Sequence, residues 1–154
     1  MNEQEILQKL SSKFPFLEGK GRVARARRIF CDVPNASFRE VIDFTIKELG
    51  FSILTTMTGV DDGETLGFIY HFASNNGMML NLKISAPKDN PVIKTVTDLF
   101  PSAEMYEREV EDLLGAKVEG LKPGRRYPLH ETWPEGQHPL RKDWTYVKPA
   151  VSGK

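Results

Sequence analysis

Leu66–Ile84 reads LGFIYHFASNNGMMLNLKI, and its two halves decide the fold. In each half an apolar residue occupies every second position, as in a strand with one buried face. These residues are Leu66, Phe68, Tyr70 and Phe72, followed by Met78, Leu80, Leu82 and Ile84. Asn75-Asn76-Gly77 between the halves favours a tight turn. The stretch therefore predicts two antiparallel strands whose apolar faces meet the same core.

Upstream of this stretch, the pattern predicts two helices and two strands. The first helix carries apolar residues at helical spacing, namely Ile6, Leu7, Leu10 and Phe14. Arg22–Val33 alternates and is predicted to be a single strand. Ser37 and Glu40 are spaced as a capping box at the start of the second helix. Phe51–Thr58 is predicted to be the strand that precedes the hairpin.

Downstream, the pattern predicts two more helices. Asn90 and Pro91 open a short one whose inward residues are Ile93, Val96 and Phe100. The last helix begins at about Ser102 and ends at Gly115. The order α-β-α-β-β-β-α-α predicts an α+β fold. We expect a two-layer sandwich, in which a mostly antiparallel or mixed sheet carries helices on one face.

The composition excludes several classes of protein. The chain has 154 residues, 40% of them hydrophobic, and its 21 basic residues balance 21 acidic ones. These values are typical of one globular domain and argue against a globally basic nucleic-acid binder. No stretch approaches the roughly 20 apolar residues that span a bilayer, so we expect a soluble chain. One cysteine, Cys31, and three scattered histidines cannot supply a zinc site or bind an iron–sulfur cluster unaided.

The last part of the chain differs from the rest. Five of the ten prolines lie in residues 116–154, where the apolar residues follow neither a helical nor a strand period. This part also holds Trp133, Trp144 and several arginines, and aromatic and arginine residues are enriched in protein interfaces. We therefore predict an α+β domain of residues 1–115 and an extended partner-binding tail of residues 116–154. Without its partner, the tail is expected to be loosely held.

Three groups of polar residues have ordinary structural interpretations. The arginines at positions 22, 25, 27 and 28 could hold phosphates, but no aromatic residues are interleaved with them, and a charged edge strand is favoured. Asp61-Asp62-Gly63-Glu64 reads better as a hairpin connection than as a cation site. His71 has no catalytic partner that the sequence reveals. The sequence therefore gives no positive support for an enzyme site within this chain.

The last predicted helix and the tail carry a recognisable set of residues. Within the helix, Glu107 and Glu111 stack one turn apart with like charge, which hints at a compensating partner. The ordered blocks run from Glu107 to Asp143 and comprise Glu107-Arg108-Glu109, Asp112-Leu113, Gly115, Gly120, Arg125-Arg126, Trp133 and Pro139-Leu140-Arg141-Lys142-Asp143. This combination resembles the thirty-kilodalton subunit of respiratory complex I, which in bacteria is the C subunit of NADH-quinone oxidoreductase. The family includes the equivalent subunits of membrane-bound [NiFe] hydrogenases.

The resemblance implies a cofactor-free, non-catalytic subunit at the cytoplasmic side of the membrane, held there through partners. It would pack on the large subunit related to the [NiFe]-hydrogenase large chain and lie near iron–sulfur subunits. The iron–sulfur clusters, with quinone or a nickel–iron site, would belong to those partners, and no nucleic acid is expected. The implied interface residues are Glu107, Arg108, Glu109, Asp112, Arg125, Arg126, Trp133, Pro139, Leu140, Arg141, Lys142 and Asp143.

The resemblance leaves the parent complex open. The first reading is a structural subunit of a complex-I-like NADH-quinone oxidoreductase. The alternative is the equivalent subunit of an energy-converting membrane-bound [NiFe] hydrogenase or formate hydrogenlyase. Leu121 stands where quinone-linked members usually have histidine, and the phrase from Leu129 to Pro134 looks closer to the hydrogenase branch. A self-contained soluble enzyme is the least favoured reading, because no catalytic constellation is present.

Overall fold

The computed structural model describes residues 1–146 and contains three α-helices and seven strands within them. In chain order they are α1 (Glu3–Lys13), β1 (Gly21–Arg25), β2 (Arg28–Asp32), α2 (Phe38–Lys47), β3 (Ile53–Asp61), β4 (Thr65–Ala73), β5 (Met79–Pro87), β6 (Val92–Lys94), α3 (Ala103–Leu114) and β7 (Lys117–Glu119). Short 3-10 turns at Pro15–Leu17 and Asn35–Ser37 precede β1 and α2.

The main sheet has five strands in the order β1-β2-β5-β4-β3. Only β2 and β5 run parallel, and the other neighbours are antiparallel, so the sheet is mixed as predicted. Across the central pair, Phe68 lies opposite Ile84 and Tyr70 opposite Leu82. A second, two-stranded sheet pairs β6 with β7 in parallel.

All three helices pack on the same face of the main sheet. Leu7 of α1 lies over Gly21, and Leu114 of α3 lies over Gly59, where in each case an added methyl group would overlap the leucine. Phe38 of α2 packs on Tyr70, with the two ring centroids 4.5 Å apart. The opposite face of the sheet has no helix over it in residues 1–146. The predicted two-layer α+β sandwich is therefore confirmed.

The core is built from the alternating residues of the central hairpin. The side chains of Leu66, Phe68, Tyr70 and Phe72 on β4 are fully buried. On β5 the partners Leu80 and Leu82 are equally buried, which confirms the predicted apolar face. The predicted inner face of α2 is also buried, with Phe38, Val41, Ile42 and Thr45.

Two predictions upstream of the hairpin are wrong. Arg22–Val33 is a hairpin of β1 and β2 rather than one strand, and the chain reverses at Arg27, which adopts a left-handed backbone with φ 61°. Glycine, asparagine or aspartate normally marks such a turn, and none is present here. Ser37 makes no capping hydrogen bond, because it ends the preceding 3-10 turn with a ψ of 2°.

The helix predicted at Asn90 and Pro91 is also wrong. Val92–Lys94 forms β6 instead, because its backbone pairs with Lys117–Glu119, more than 20 residues later in the chain. The three predicted inward residues are nevertheless buried, namely Ile93, Val96 and Phe100. The pairing also anchors the first residues of the predicted tail, and Ala116 and Val118 join the core. The division of the chain at residue 115 into two units stays a prediction.

Candidate partner-binding site

Residues 120–146, here called the C-terminal arm, fold back along α3 toward the end of β3. The arm is mostly irregular and is held by hydrogen bonds between its side chains or backbone and the domain. Tyr127-Pro128 within it is a cis peptide bond. The arm and α3 together contain every predicted interface residue.

The first anchor of the arm is the C-terminal end of α3. A helix leaves its last four carbonyl groups without partners in the helix itself. Here the Arg141 Nε donates to the Leu114 carbonyl at 2.6 Å, and the Leu140 N–H donates to the Leu113 carbonyl at 3.0 Å. The guanidinium charge is also favourable beside the negative end of the helix dipole. The arm therefore completes the capping of α3.

The second anchor is the carboxylate of Asp112, on the last turn of α3. Its Oδ1 accepts from the Arg126 Nε and its Oδ2 accepts from the Leu129 N–H at 2.8 Å. The Asp112 side chain is 5% exposed and that of Arg126 is 22% exposed. Arg126 also donates through Nη1 to the Trp133 carbonyl at 2.6 Å. This buried ion pair joins the helix to two separate parts of the arm.

Close approach of the arm depends on a glycine at the end of α3. Gly115 has a left-handed backbone with φ 73°, which ends the helix. A methyl group at this position would lie 2.6 Å from the His138 ring and 3.0 Å from the Arg141 guanidinium. The His138 Nδ1 in turn lies 2.9 Å from the Asp112 carbonyl oxygen. Gly115 therefore serves both the turn and the docking of the arm.

A third anchor lies at the end of β3, which the sequence did not identify as part of the site. The Asp61 Oδ2 accepts from the Lys142 N–H at 2.8 Å and from the Lys88 Nζ at 2.8 Å. Lys88 also pairs with Asp143 at 3.0 Å. The hydrogen bond from Lys88 holds the pKa of Asp61 well below its usual range. No local sequence pattern reveals this contact, because Asp61 and Lys142 are 81 residues apart.

The two tryptophans of the arm pack on each other, with ring centroids 5.9 Å apart. Their indole N–H groups both bind Gln137, that of Trp133 through the Gln137 carbonyl and that of Trp144 through the Gln137 Oε1, each at 2.9 Å. Tyr146 contacts Trp144 edge-on at 6.4 Å between centroids. The end of the arm is thus a small aromatic cluster organised by one glutamine.

Like Asp112, two further predicted interface residues of α3 form their hydrogen bonds within this chain. Glu107 is fully buried, and its carboxylate accepts from the Val96 N–H at 2.7 Å and from the Thr95 hydroxyl at 2.6 Å. Burial raises the pKa of Glu107, and the neighbouring Glu111 raises it further. Arg108 pairs with Glu104 and donates to the Lys122 carbonyl at 2.7 Å. Glu107 and Arg108 thus hold neighbouring segments of this chain against α3.

Other predicted residues remain accessible. Leu140 is 55% exposed, and the side chain of Arg125 is 89% exposed, although Arg125 pairs with Glu131 at 2.7 Å. Lys142 and Asp143 are exposed, while Glu109, Trp133, Pro139 and Arg141 are half-buried. Met105, Tyr127 and Tyr146 are also exposed in this region and were not among the predicted interface residues. Met105 and Tyr127 line one groove of about 630 Å³ together with Arg125, Leu129 and His130.

Among residues 1–146, no group of three or more His, Cys, Asp or Glu side chains is placed to hold a metal ion. In the same part of the chain, no helix is both long and apolar enough to cross a bilayer. Cys31 is buried beneath α1, and burial raises its pKa to about 11, which disfavours a reactive thiolate. What the arrangement offers is a shaped surface with exposed apolar and basic side chains.

Comparison with known proteins decides the family. The family model described as "Respiratory-chain NADH dehydrogenase, 30 Kd subunit" matches residues 31–150. The chain belongs to this family. The resemblance inferred from Glu107 to Asp143 is thereby confirmed, and the match extends upstream across most of the sheet.

Relatives of this subunit occur in complexes of different names. The membrane-bound hydrogenase subunit beta of Pyrococcus furiosus is 30% identical over 145 residues, which cover 90% of this chain and 83% of the relative. The C subunit of the F(420)H(2) dehydrogenase of Methanosarcina mazei is 30% identical and covers 94% and 92%. The C subunit of the NADH-quinone oxidoreductase of Moorella thermoacetica is also 30% identical and covers 90% and 93%. The chain is therefore a subunit of a complex-I-like, multisubunit complex.

A solved structure carries the same fold. A chain of the membrane-bound sulfane sulfur reductase, an archaeal respiratory membrane complex, superimposes with a TM-score of 0.82 at 28% identity. The match covers 94% of this chain and 86% of the other. Because it covers so much of this chain, the likeness extends beyond the sheet to most of α3 and the arm.

Proposed function

We propose that this chain is a non-catalytic structural subunit that packs on the large subunit of its complex through α3 and the C-terminal arm. The observation that carries the proposal is the way the arm is held. Three anchors fix it to the domain, at Asp61, Asp112 and the end of α3. A surface that is ordered before docking loses less conformational entropy when a partner binds.

The contact itself is proposed to lie on the accessible side chains of this region. Leu140 is a large apolar side chain held outward on a backbone fixed by the Leu113 carbonyl. Arg125, Tyr127 and Met105 line a groove beside the first half of α3. Rigidly presented apolar and arginine side chains are the usual centres of protein interfaces.

The redox groups are proposed to belong to the partners. The large subunit is expected to be related to the [NiFe]-hydrogenase large chain, with iron–sulfur subunits nearby. The chain would then support electron transfer by fixing the position of the partners, without carrying electrons itself. Attachment at the cytoplasmic face of the membrane, through those partners, belongs to the same proposal.

Our first proposal for the parent complex is an NADH-quinone oxidoreductase, the name of the relative from Moorella thermoacetica, and the family model is described as a respiratory-chain NADH dehydrogenase subunit. A membrane-bound hydrogenase or formate hydrogenlyase is the second candidate. It is favoured by Leu121 in the position after Gly120, by the phrase from Leu129 to Pro134 and by the relative from Pyrococcus furiosus.

A surface variant tests the proposed contact. Leu140→Asp should abolish co-purification of the large subunit, because a charge would be buried in the contact without a partner. Ile53→Asp is the matched control, since Ile53 on β3 is 46% exposed and lies outside the arm. Circular dichroism of each isolated chain should show that both variants stay folded. Retention of the large subunit by Leu140→Asp, or equal loss with Ile53→Asp, would contradict the proposal.

A further inference from the structure

Arginines of the β1–β2 hairpin converge on the face of the sheet that carries no helix. Arg25 lies opposite Arg28 in the antiparallel pair, and Arg22 lies opposite Phe30. On β2, residues 29 and 31 point toward the helices and are fully buried, so the alternation sets residues 28 and 30 on the open face. We call Arg22, Arg25, Arg28 and Phe30 the arginine face.

The local arrangement is unfavourable in the chain alone. Like charges directly opposite each other on paired strands are destabilising, and Arg25 and Arg28 form such a pair. The hairpin also places a non-glycine residue, Arg27, in the left-handed region with φ 61°. The hairpin thus concentrates positive charge, and no acidic residue within it offsets the repulsion between Arg25 and Arg28.

No carboxylate elsewhere in residues 1–146 forms an ion pair with these arginines either. Within residues 1–146, none of the guanidinium groups of Arg22, Arg25, Arg27 and Arg28 forms an ion pair with a carboxylate, whereas Arg39, Arg108, Arg125 and Arg126 each do. Glu3, the acidic residue bonded to the turn, accepts the backbone N–H of Arg27 at 2.6 Å. The hairpin arginines therefore form a distinct set with free donor groups.

The arginine face also offers apolar contact. The Arg22 guanidinium lies over the Phe30 ring, 5.0 Å from its centroid, which fixes the charged group above the sheet. Phe30 and Ile69 are half-buried and line a groove of about 470 Å³ with Arg22 and Lys83. Aromatic and arginine residues are both enriched in protein interfaces relative to the rest of a protein surface.

We propose that the arginine face binds an acidic segment of another protein subunit. Planar guanidinium groups match carboxylates through two parallel hydrogen bonds, so Asp and Glu side chains would relieve the Arg25–Arg28 repulsion. The inference rests on the proposed function only in placing that subunit in the same complex. It is independent of the arm, because the hairpin lies at the opposite edge of the sheet from β3.

A photo-cross-linking residue introduced at Ala26, which is exposed in the hairpin turn, tests the proposal in the assembled complex. We expect mass spectrometry to find it joined to a segment of a co-purified subunit in which Asp and Glu outnumber Lys and Arg. The same residue at exposed Ser52 is the control for non-specific capture. A product with lipid, or with a segment that is not acidic, or no product beyond that at Ser52, would overturn the proposal.

Charge reversal provides the second measurement. Arg25→Glu combined with Arg28→Glu should reduce the Ala26 cross-link about tenfold or more, because two attractive contacts become repulsive. Lys47→Glu is the control, because Lys47 is exposed and lies on α2, away from the hairpin, and this variant should leave the cross-link unchanged. Binding to phosphatidylglycerol vesicles that is lost in the double variant, with no cross-link to another subunit, would assign the face to lipid and overturn the proposal. Failure of the cross-link while Leu140→Asp still blocks assembly would leave the proposed function intact.

Discussion

At the scale of single residues, Glu107 gives the clearest test of how the site is supported. Burial raises its pKa, so the folded chain binds a proton there more tightly than the unfolded chain does. The free energy of unfolding should therefore fall as the pH rises from the ordinary value of 4.5 toward the raised one. Glu107→Gln should remove this part of the pH dependence, because an amide can accept from Val96 and donate to the Thr95 oxygen.

The measurement is chemical denaturation of both chains at a series of pH values from the ordinary pKa of 4.5 up to neutral pH. Near neutral pH we expect Glu107→Gln to be at least as stable as the parent. Glu109→Gln removes the same charge from a half-exposed position on α3 and is the control. An unchanged pH dependence in Glu107→Gln would show that Glu107 is not its source and would contradict the raised pKa. A large loss of stability at neutral pH would show that the buried carboxylate is needed in its charged form.

Gly115 tests whether the arm depends on close approach to α3. Gly115→Ala should be destabilising by about 1–2 kcal/mol for the left-handed backbone alone. A further loss is expected because the methyl group would overlap His138 and crowd Arg141. Gly50→Ala is a matched control, since Gly50 has a φ of 75° with no atom within 4 Å of the added carbon. Equal losses of unfolding free energy in the two variants would contradict the docked arm.

The sequence predicted some, but not all, of the residues that form the core and hold the arm. Alternation alone identified Phe68 and Tyr70 as core residues, because strand periodicity is a local property. The resemblance identified Asp112 and Arg126 but not their bond to each other. Asp61 was interpreted only as a hairpin residue, because its contact with Lys142 depends on how the whole arm folds back.

At the scale of elements, the pairing of α3 with the arm predicts a specific pattern of amide exchange. The N–H groups of Leu129, Leu140 and Lys142 donate to the domain and should be protected in the isolated chain. Those of Lys122 and Arg125, which donate no hydrogen bond within the described residues, should exchange freely. Such a pattern would mean that the tail is held at a few separate residues. The sequence, by contrast, predicted a tail that is loosely held throughout.

Asp112→Ala sharpens this exchange measurement by removing one anchor and leaving another. Protection of Leu129 should be lost, while Lys142 stays protected through Asp61. Asp89→Ala, at an exposed position after β5, is the control. Loss of protection across the core strands would mean that Asp112 supports the whole fold, and unchanged protection of Leu129 would mean that the anchor does not form in solution.

Two variants of the C-terminal arm test whether the arm is needed for assembly of the complex. Arg141→Ala removes the cap on the Leu114 carbonyl, and Trp133→Ala removes half of the tryptophan pair. Both should prevent assembly while lowering the melting temperature of the isolated chain by no more than about 4 °C, because neither residue belongs to the sheet core. Arg39→Ala, which removes exposed ion pairs elsewhere, should assemble normally. A collapse of thermal stability in the free chain would assign the arm a folding role in place of an interface role.

The sequence predicted an element correctly where a local pattern determines it, and incorrectly where pairing with a distant segment determines it. The central hairpin and α3 follow from periodicity and from the glycine at residue 115. The helix predicted at Asn90 failed because Val92–Lys94 pairs with Lys117–Glu119, a partner that no local window contains. The single strand predicted over Arg22–Val33 was wrong because the chain reverses at Arg27, which adopts a turn conformation that its residue type disfavours.

At the scale of the whole molecule, the sheet separates two surfaces. The helices and the arm lie on one face, and the arginine face lies on the other. The two proposed contacts would thus place neighbouring subunits on opposite faces of one sheet. The fold class was predictable from the order of elements, whereas the docking of the arm was not, because it depends on contacts between distant residues.

This chain is proposed to act by packing on a large redox subunit. The most direct test is to purify the tagged chain from its native membranes in mild detergent, identify the subunits that accompany it, and assay NADH oxidation and hydrogen evolution. We predict that a large subunit related to the [NiFe]-hydrogenase large chain is recovered in equal amount, and that its nickel content and the observed activity identify the parent complex. Recovery of the chain without that subunit, or turnover by the purified chain alone, would contradict the account.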